Sequence, residues 1–161
     1  YFISYSGVGF DAFMLNRLQP YKWLGKYAYL ACSIANFLFY KNTEITVMGE
    51  NFSLSRNIFL CGVGVSKYTG GGMQIIKSPA GNNGLLNLTV AYDFTKIDII
   101  KNFFNLFNGA IFNDRKVLTI VSSEIKMMSK TGLLTCHGDG EIFGSGNLTF
   151  FVLKKQITHI C

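Results

Sequence analysis

Three side chains able to exchange protons or ligate a cation crowd into the six residues CHGDGE, at His137, Asp139 and Glu141. In an extended strand their i, i+2, i+4 spacing would point all three to one face. Two carboxylates and an imidazole could then hold a divalent cation or share a proton. The same letters also spell a hairpin, because Asp-Gly between strand-like flanks is a strong short turn signal. Spacing alone favours the turn. Tetrahedral zinc is less favoured still, since no second ligand cluster completes the set.

Two other stretches could meet a ligand. KYTGGGM carries Gly70, Gly71 and Gly72, where backbone can approach a ligand closely or take positive φ. An irregular loop between strands is an equal reading. No Gly-Lys-Ser/Thr follows, so it is not a Walker-type phosphate loop. RLQPYKWLGKYAY interleaves Arg17, Lys22 and Lys26 with Tyr21, Trp23, Tyr27 and Tyr29. Aromatics beside long cations suit a membrane interface, and a loop entering a helix gives the same letters.

The elements that must position these residues read as follows. YFISYSGVGF is a strand ending in glycines, and a helical DAFMLNRLQP follows, with Asp11 placed to cap it and Pro20 to stop it. From Leu24 to Phe39, Tyr27, Ala31, Ile34 and Leu38 form a stripe at helical spacing. TEITVMG and NFSLSRN are two arms of a hairpin near Gly49-Glu50, and NIFLCGVGV is a buried strand. In LLNLTVAYD, Leu86, Leu88, Val90 and Tyr92 alternate with Asn87, Thr89 and Asp93. A second helix spans about Lys96 to Asn108, with the stripe Ile97, Ile100, Phe104 and Phe107, and Gly109 ends it. Beyond it, 116–128, 133–137, 147–153 and 156–160 read as strands, with a slip near Ser122-Ser123 that suggests a bulge. The fold class is α+β, mainly β: an antiparallel sandwich with about two helices packed on it.

At 161 residues the chain suits one domain, and an apolar fraction of 49% can bury a sizeable core. The formal charge of +6 is scattered, with Lys154-Lys155 the one adjacent basic pair, so nucleic acid is not an expected partner. Cys32, Cys61, Cys136 and Cys161 form no CxxC pair; three sit in apolar runs, which suggests a reducing, cytoplasmic compartment. The uncharged helical run 27–40 is shorter than the about 20 residues a bilayer crossing needs, so no transmembrane segment is expected. The chain opens at Tyr1, without Met, inside an apolar run, which suggests a fragment of a longer protein.

GVGFDA near the start, KYTGGGMQIIKSPAGNNGLLNLTV in the middle and HGDGE near the end occur in that order. In order and spacing, over roughly residues 2–160, they resemble the C-terminal domain of the diacylglycerol kinase catalytic family. This is the bacterial lipid-kinase group related to sphingosine kinases and more distantly to NAD kinases. The resemblance implies a two-domain ATP-dependent lipid kinase acting in phospholipid metabolism. Its N-terminal domain, with a Gly-Gly-Asp-Gly-Thr motif and most contacts to ATP and Mg²⁺, is absent from these residues, so the chain alone should be inactive. It further implies that Asp139 activates the lipid hydroxyl while Glu141 assists around metal and phosphates. Gly70, Gly71, Gly72 and Asp11 would lie near the substrate, although Asp11 could be no more than a cap. His137 is outside the motif and stays off the catalytic list.

Where relatives carry Asp-Asp-Gly, this chain has Asn82-Asn83-Gly84. The structural cation that some relatives hold there would use Asn83 and the carbonyls of Ala80 and Leu85. With a neutral amide at Asn83 the site is expected to be degraded. Expected partners are a lipid substrate at a membrane surface, with peripheral association and room for a homodimer. Two alternatives stand beside the lipid kinase: a non-catalytic lipid- or membrane-binding module, and a kinase for a soluble metabolite.

Overall fold

The computed structural model describes residues 1–69, 72–77, 84–130 and 132–153, without the side chain of Lys26. Its strands are β1 (Tyr5–Gly9), β2 (Thr43–Gly49), β3 (Phe52–Gly64), β4 (Tyr68–Thr69), β5 (Met73–Gln74), β6 (Leu86–Tyr92), β7 (Val117–Ser122), β8 (Glu124–Ser129), β9 (Leu134–Gly138), β10 (Glu141–Gly146) and β11 (Leu148–Phe151). Four short helices join them: α1 (Phe10–Leu15), α2 (Ala28–Asn36), α3 (Lys96–Asn102) and α4 (Asn105–Asn108), with 3₁₀ turns at Gln19–Tyr27 and Ala110–Asn113.

One antiparallel sheet runs β10-β9-β1-β3-β2-β8-β11, with β6 added to β3 and β7 to β6; β4 and β5 form a separate pair. The thirteen-residue β3 is its spine. Phe52–Ile58 pair with β2, while Leu60–Gly64 lie between β1 and β6. Val8, Val47, Val63, Leu88, Met127 and Phe150, from six different strands, meet in one core, so the sheet folds over on itself as a sandwich. A second core fills the space between the sheet's other face and the helices, built on Phe10, Met14, Tyr40, Phe59, Ile75 and Phe94. A register shift between Ile58 and Leu60 places Phe59 and Leu60 both in this helix-side core. A bulge re-aims side chains in this way.

The expected mainly-β sandwich with helices is observed, and several of its details change. NFSLSRN and NIFLCGVGV are one continuous strand, β3. In the run 24–39 only Ala28–Asn36 is α-helical, as α2; the residues just before it belong to the 3₁₀ stretch, which Gly25, at φ 55° and ψ −124°, kinks. Pro20 opens that 3₁₀ turn rather than closing α1. The second helix splits into α3 and α4, with Gly109 left-handed at φ 77° as expected of a helix end. Thr95 caps α3 in a reciprocal box with Asp98, which sequence reading passed over. Ser122-Ser123 is not a bulge but the break between β7, paired with β6, and β8, paired with β2 and β11. Strand 133–137 is β9, β10 went unread, and 156–160 lie outside the described residues.

The helical stripes turn largely outward. Tyr27, Ile34 and Leu38 are 58–62% exposed, and Ile97, Ile100, Phe104 and Phe107 are 42–75% exposed. The inward face of α2 is instead Ala28, Cys32 and Ser33. Periodicity reveals that a stripe exists, not which way it points. In β6 both faces are buried, so Asn87 and Thr89 are as enclosed as their apolar neighbours.

Candidate functional site

β1 ends in small residues for a steric reason. Gly7 stands opposite His137 across the β1–β9 ladder, and both face the helices. A Cβ on Gly7 would lie 1.9 Å from Asp11 Oδ2 and 2.5 Å from His137 Nε2. Gly9, at φ 99°, turns the chain into α1, and a Cβ there would meet the Phe59 carbonyl at 2.6 Å. The turn carries Asp11 back over the space that Gly7 leaves open.

Asp11 is 3% exposed and His137 4%. The Tyr5 hydroxyl donates to Asp11 Oδ2 at 2.6 Å, His137 Nε2 lies 3.1 Å from the same oxygen, and the Ala12 amide donates to Oδ1 at 3.0 Å. Toward an ionised carboxylate, which can only accept, Nε2 would be the ring nitrogen that donates. His137 Nδ1 is buried without a partner among the described residues. Burial of this charge is tolerable because three donors surround it. Asp11 is therefore not the helix cap, a position held by Gly9 without a side-chain bond. Burial first, and the Asp11 charge second, push the hydroxyls of Tyr5, Tyr29 and Tyr40 well above the usual tyrosine range.

Asp11 also lines a cavity of about 290 Å³ between the sheet and the helices. Its walls are almost wholly apolar: Phe59 and Ala91 from the sheet, Phe37 from the end of α2, and Ile99, Phe103 and Leu106 from the α3–α4 region. Thr89 contributes a buried hydroxyl with no partner among the described residues. An apolar pocket with a few polar groups at fixed positions is the usual form of a small-molecule site, and this one is near the lower end of ligand-sized volumes.

Asp139 and Glu141 are placed differently. Residues 139–140 are the two-residue loop of the β9–β10 hairpin, with φ 49° at Asp139 and 90° at Gly140. Positive φ at both central residues is the type I′ signature, so the turn reading of CHGDGE holds. The Asp139 carboxylate accepts backbone N–H groups from Ile3 at 2.6 Å and from Ser4 and Tyr5 at 3.0 Å, and its own amide donates to the Tyr5 carbonyl. Glu141 is exposed at the start of β10. His137, Asp139 and Glu141 thus do not converge: the imidazole is buried on Asp11, while Asp139 binds the segment entering β1. Tyr5 connects the two carboxylates, its backbone held by Asp139 and its hydroxyl by Asp11.

Gly72 has φ 97° and open space where a Cβ would stand, on the β4–β5 turn whose Met73 lines the cavity. Gly70 and Gly71 lie outside the described residues, as do Ala80 and Asn83; Leu85 is half-buried just before β6. Among the described residues no three His, Cys, Asp or Glu side chains come close enough to hold a metal ion. No helix among them is long and apolar enough to cross a membrane. Cys32, Cys61 and Cys136 are buried free thiols, and burial pushes each one up. Sequence reading missed the Tyr5–Asp11–His137 network. Asp11 and His137 are 126 positions apart, and no local pattern joins them.

Residues 4–161 match the family described as the YegS C-terminal NAD kinase beta sandwich-like domain. Among solved structures, a diacylglycerol kinase from Bacillus anthracis str. Sterne superposes with a TM-score of 0.56 at 14% identity, over 92% of this chain and 43% of that one. A putative diacylglycerol kinase from the same organism gives 0.66 at 18% identity, over 95% and 50%. Another structure described in the same way gives 0.62 at 18%, over 93% and 50%. At such identities the likeness is one of fold. The chain spans half or less of the length of these structures. No curated protein matches the sequence.

Proposed function

The chain belongs to the family of YegS C-terminal NAD kinase beta sandwich-like domains, and from that premise we propose that it is the acceptor-binding part of an ATP-dependent kinase for diacylglycerol or a related lipid alcohol. The observation that carries this reading is the apolar cavity with the buried Asp11 carboxylate in its wall. A soluble metabolite would find few hydrogen-bonding groups there. A lipid would place its hydrocarbon against Phe37, Ile99 and Phe103 and its polar head toward Asp11.

Phosphoryl transfer requires the acceptor oxygen to form a bond to the γ-phosphorus as the bond to the ADP oxygen breaks. The hydroxyl proton passes to a nearby base. Asp139 is the proposed base, with Glu141 beside it, because these residues match the family's Asp-Gly-Glu motif. A carboxylate offers about four lone-pair directions. Three backbone donors occupy Asp139, which leaves one direction for a proton. Asp11, held by Tyr5 and His137, is the proposed acceptor-orienting group. By the resemblance to the diacylglycerol kinase family, ATP and Mg²⁺ would be held mainly by the remainder of the full-length protein.

The test is phosphate transfer from labelled ATP to diacylglycerol in mixed micelles by the full-length protein, with Asp139→Asn and Asp11→Asn alongside. Phosphatidic acid from the wild type, with a loss on the order of a hundredfold in Asp139→Asn, is the expected result. Asp11→Asn should mainly raise the KM for lipid. Equal turnover in all three would place the base elsewhere. A wild type that phosphorylates a soluble alcohol and no lipid would overturn the reading.

A further inference from the structure

The two helical stripes that point outward flank the cavity. Ile34 on α2, Ile100 on α3 and Phe104 just beyond it are 59–75% exposed, yet each also lines the cavity. A hydrocarbon chain leaving the cavity past these residues would cross no polar barrier. Lys96, at the start of α3, donates to the carbonyls of Phe37 and Tyr40 just after α2, which locks the two helices together. The exposed Leu38, Phe39 and Ile97 gather at that junction.

Water is a poor partner for such a surface, and contiguous apolar patches of this kind mark interaction sites. Charge indicates what the partner is. From Ala12 to Thr43 the sequence holds Arg17, Lys22, Lys26 and Lys41 and no acidic residue. On α3, Lys101 is exposed and shares a face with Ile97 and Ile100 by the i, i+3, i+4 rule. The acid of α3, Asp98, is turned toward Lys116 and Thr95. Short apolar faces edged by lysines suit the headgroup boundary of a bilayer, where apolar side chains insert and cations meet anionic lipid.

We propose that the outward faces of α2 and α3 dock on an anionic lipid surface, so that the cavity opens directly into the membrane between them. This rests on the lipid reading of the cavity. A docked mouth would let an acceptor move from bilayer to cavity without exposing its chains to water, and the phosphorylated product, being charged, would return to the headgroup layer.

The experiment uses the full-length protein and sedimentation with vesicles of equal phosphatidylglycerol and phosphatidylcholine, with pure phosphatidylcholine as the control. Two variants avoid the cavity wall: the double substitution Leu38→Asp with Ile97→Asp, and Lys101→Glu. The wild type should pellet with the anionic vesicles. The double variant should lose on the order of tenfold in partitioning, and Lys101→Glu about fivefold, on anionic vesicles alone. Both should retain wild-type turnover on a short-chain diacylglycerol dispersed in water. If the double variant fails to fold, the exposed Lys101→Glu decides. Variants that pellet like the wild type would overturn the docking face. So would a wild type that ignores vesicles, or one in which this face joins two copies and the double variant is a monomer. Phosphorylation of the dispersed lipid without vesicle binding would remove the docking proposal and leave the kinase reading standing. Vesicle binding through this face with no lipid phosphorylated would do the reverse.

Discussion

Gly7 faces His137 across the β1–β9 ladder, and the missing side chain of the first is the space in which the second meets Asp11. The buried network is therefore set by a residue that contributes no polar atom to it. It also joins the two ends of the sequence, since β1 and β9 are held together both by their ladder and by the Asp11–His137 contact.

Gly7→Ala is the most direct probe of that arrangement. The new methyl would sit 1.9 Å from Asp11 Oδ2, so the carboxylate and imidazole must separate. Overpacking of this kind costs about 1–3 kcal/mol. Chemical denaturation of the full-length protein should show that loss, and lipid phosphorylation should fall together with it.

Asp139 can be divided into its two roles by a pair of substitutions. Asp139→Asn tolerates the left-handed turn and keeps one side-chain oxygen for the Ser4 and Tyr5 amides, but its NH2 group replaces the oxygen that accepts from Ile3, so a part of the stability, about 1 kcal/mol, should be lost. Asp139→Ala removes every acceptor and adds left-handed strain, a loss of about 1–3 kcal/mol. If both substitutions abolish lipid phosphorylation while Asp139→Asn keeps most of the stability that Asp139→Ala loses, the base role is separated from the structural one.

Alkaline pH should unfold the protein through its buried tyrosines. Tyr5, Tyr29 and Tyr40 are all raised above the ordinary value near 10. In the unfolded chain they ionise at about that pH, while in the fold they stay neutral. Their contribution to stability is thus fully present below pH 10 and is lost as pH rises beyond it. A denaturation series from pH 8 to pH 12 should fall from about pH 10. Asp11→Asn should blunt that fall, because it removes the charge that raises all three.

At the acid end the sensitive group is Asp98. The Lys116 ammonium, 2.7 Å away, and then the Thr95 amide and hydroxyl hold its carboxyl down at about 2. A depressed carboxyl stabilises the fold above its unfolded value of about 4 and ceases to as pH drops toward 2. Acid titration should show stability draining between those limits, with Asp98→Asn flattening the profile. Thr95→Ala should cost about 1 kcal/mol at neutral pH through the lost cap.

A cavity-filling change tests the acceptor seat itself. Ala91 is 5% exposed and lines the cavity. Ala91→Leu should raise the KM for long-chain diacylglycerol several-fold more than for a short-chain analogue. Equal effects on both chain lengths would place the acyl chain outside the cavity.

Much of this protein was legible from one dimension. The mainly-β class, the Asp-Gly hairpin and the Gly109 helix end follow from local φ/ψ demands and side-chain alternation, which a short window of sequence contains. The motif order GVGFDA, KYTGGGM and HGDGE carried the family. Tertiary structure decided which faces turn inward and which distant residues meet. The stripes of α2 and α3 were legible as stripes, but amphipathic periodicity has no sign; the fold gave their small and polar faces to the interior and their large apolar faces to the rim of a cavity. Alternation put Asn87 and Thr89 on the face opposite Leu86 and Leu88 without telling whether that face is wet, and β6 is covered on both sides. The Tyr5–Asp11–His137 network had no sequence signal, because its chemistry exists only where the β1–β9 ladder places a glycine opposite a histidine. Local geometry is written in neighbouring residues; burial and long-range pairing are properties of the packed whole.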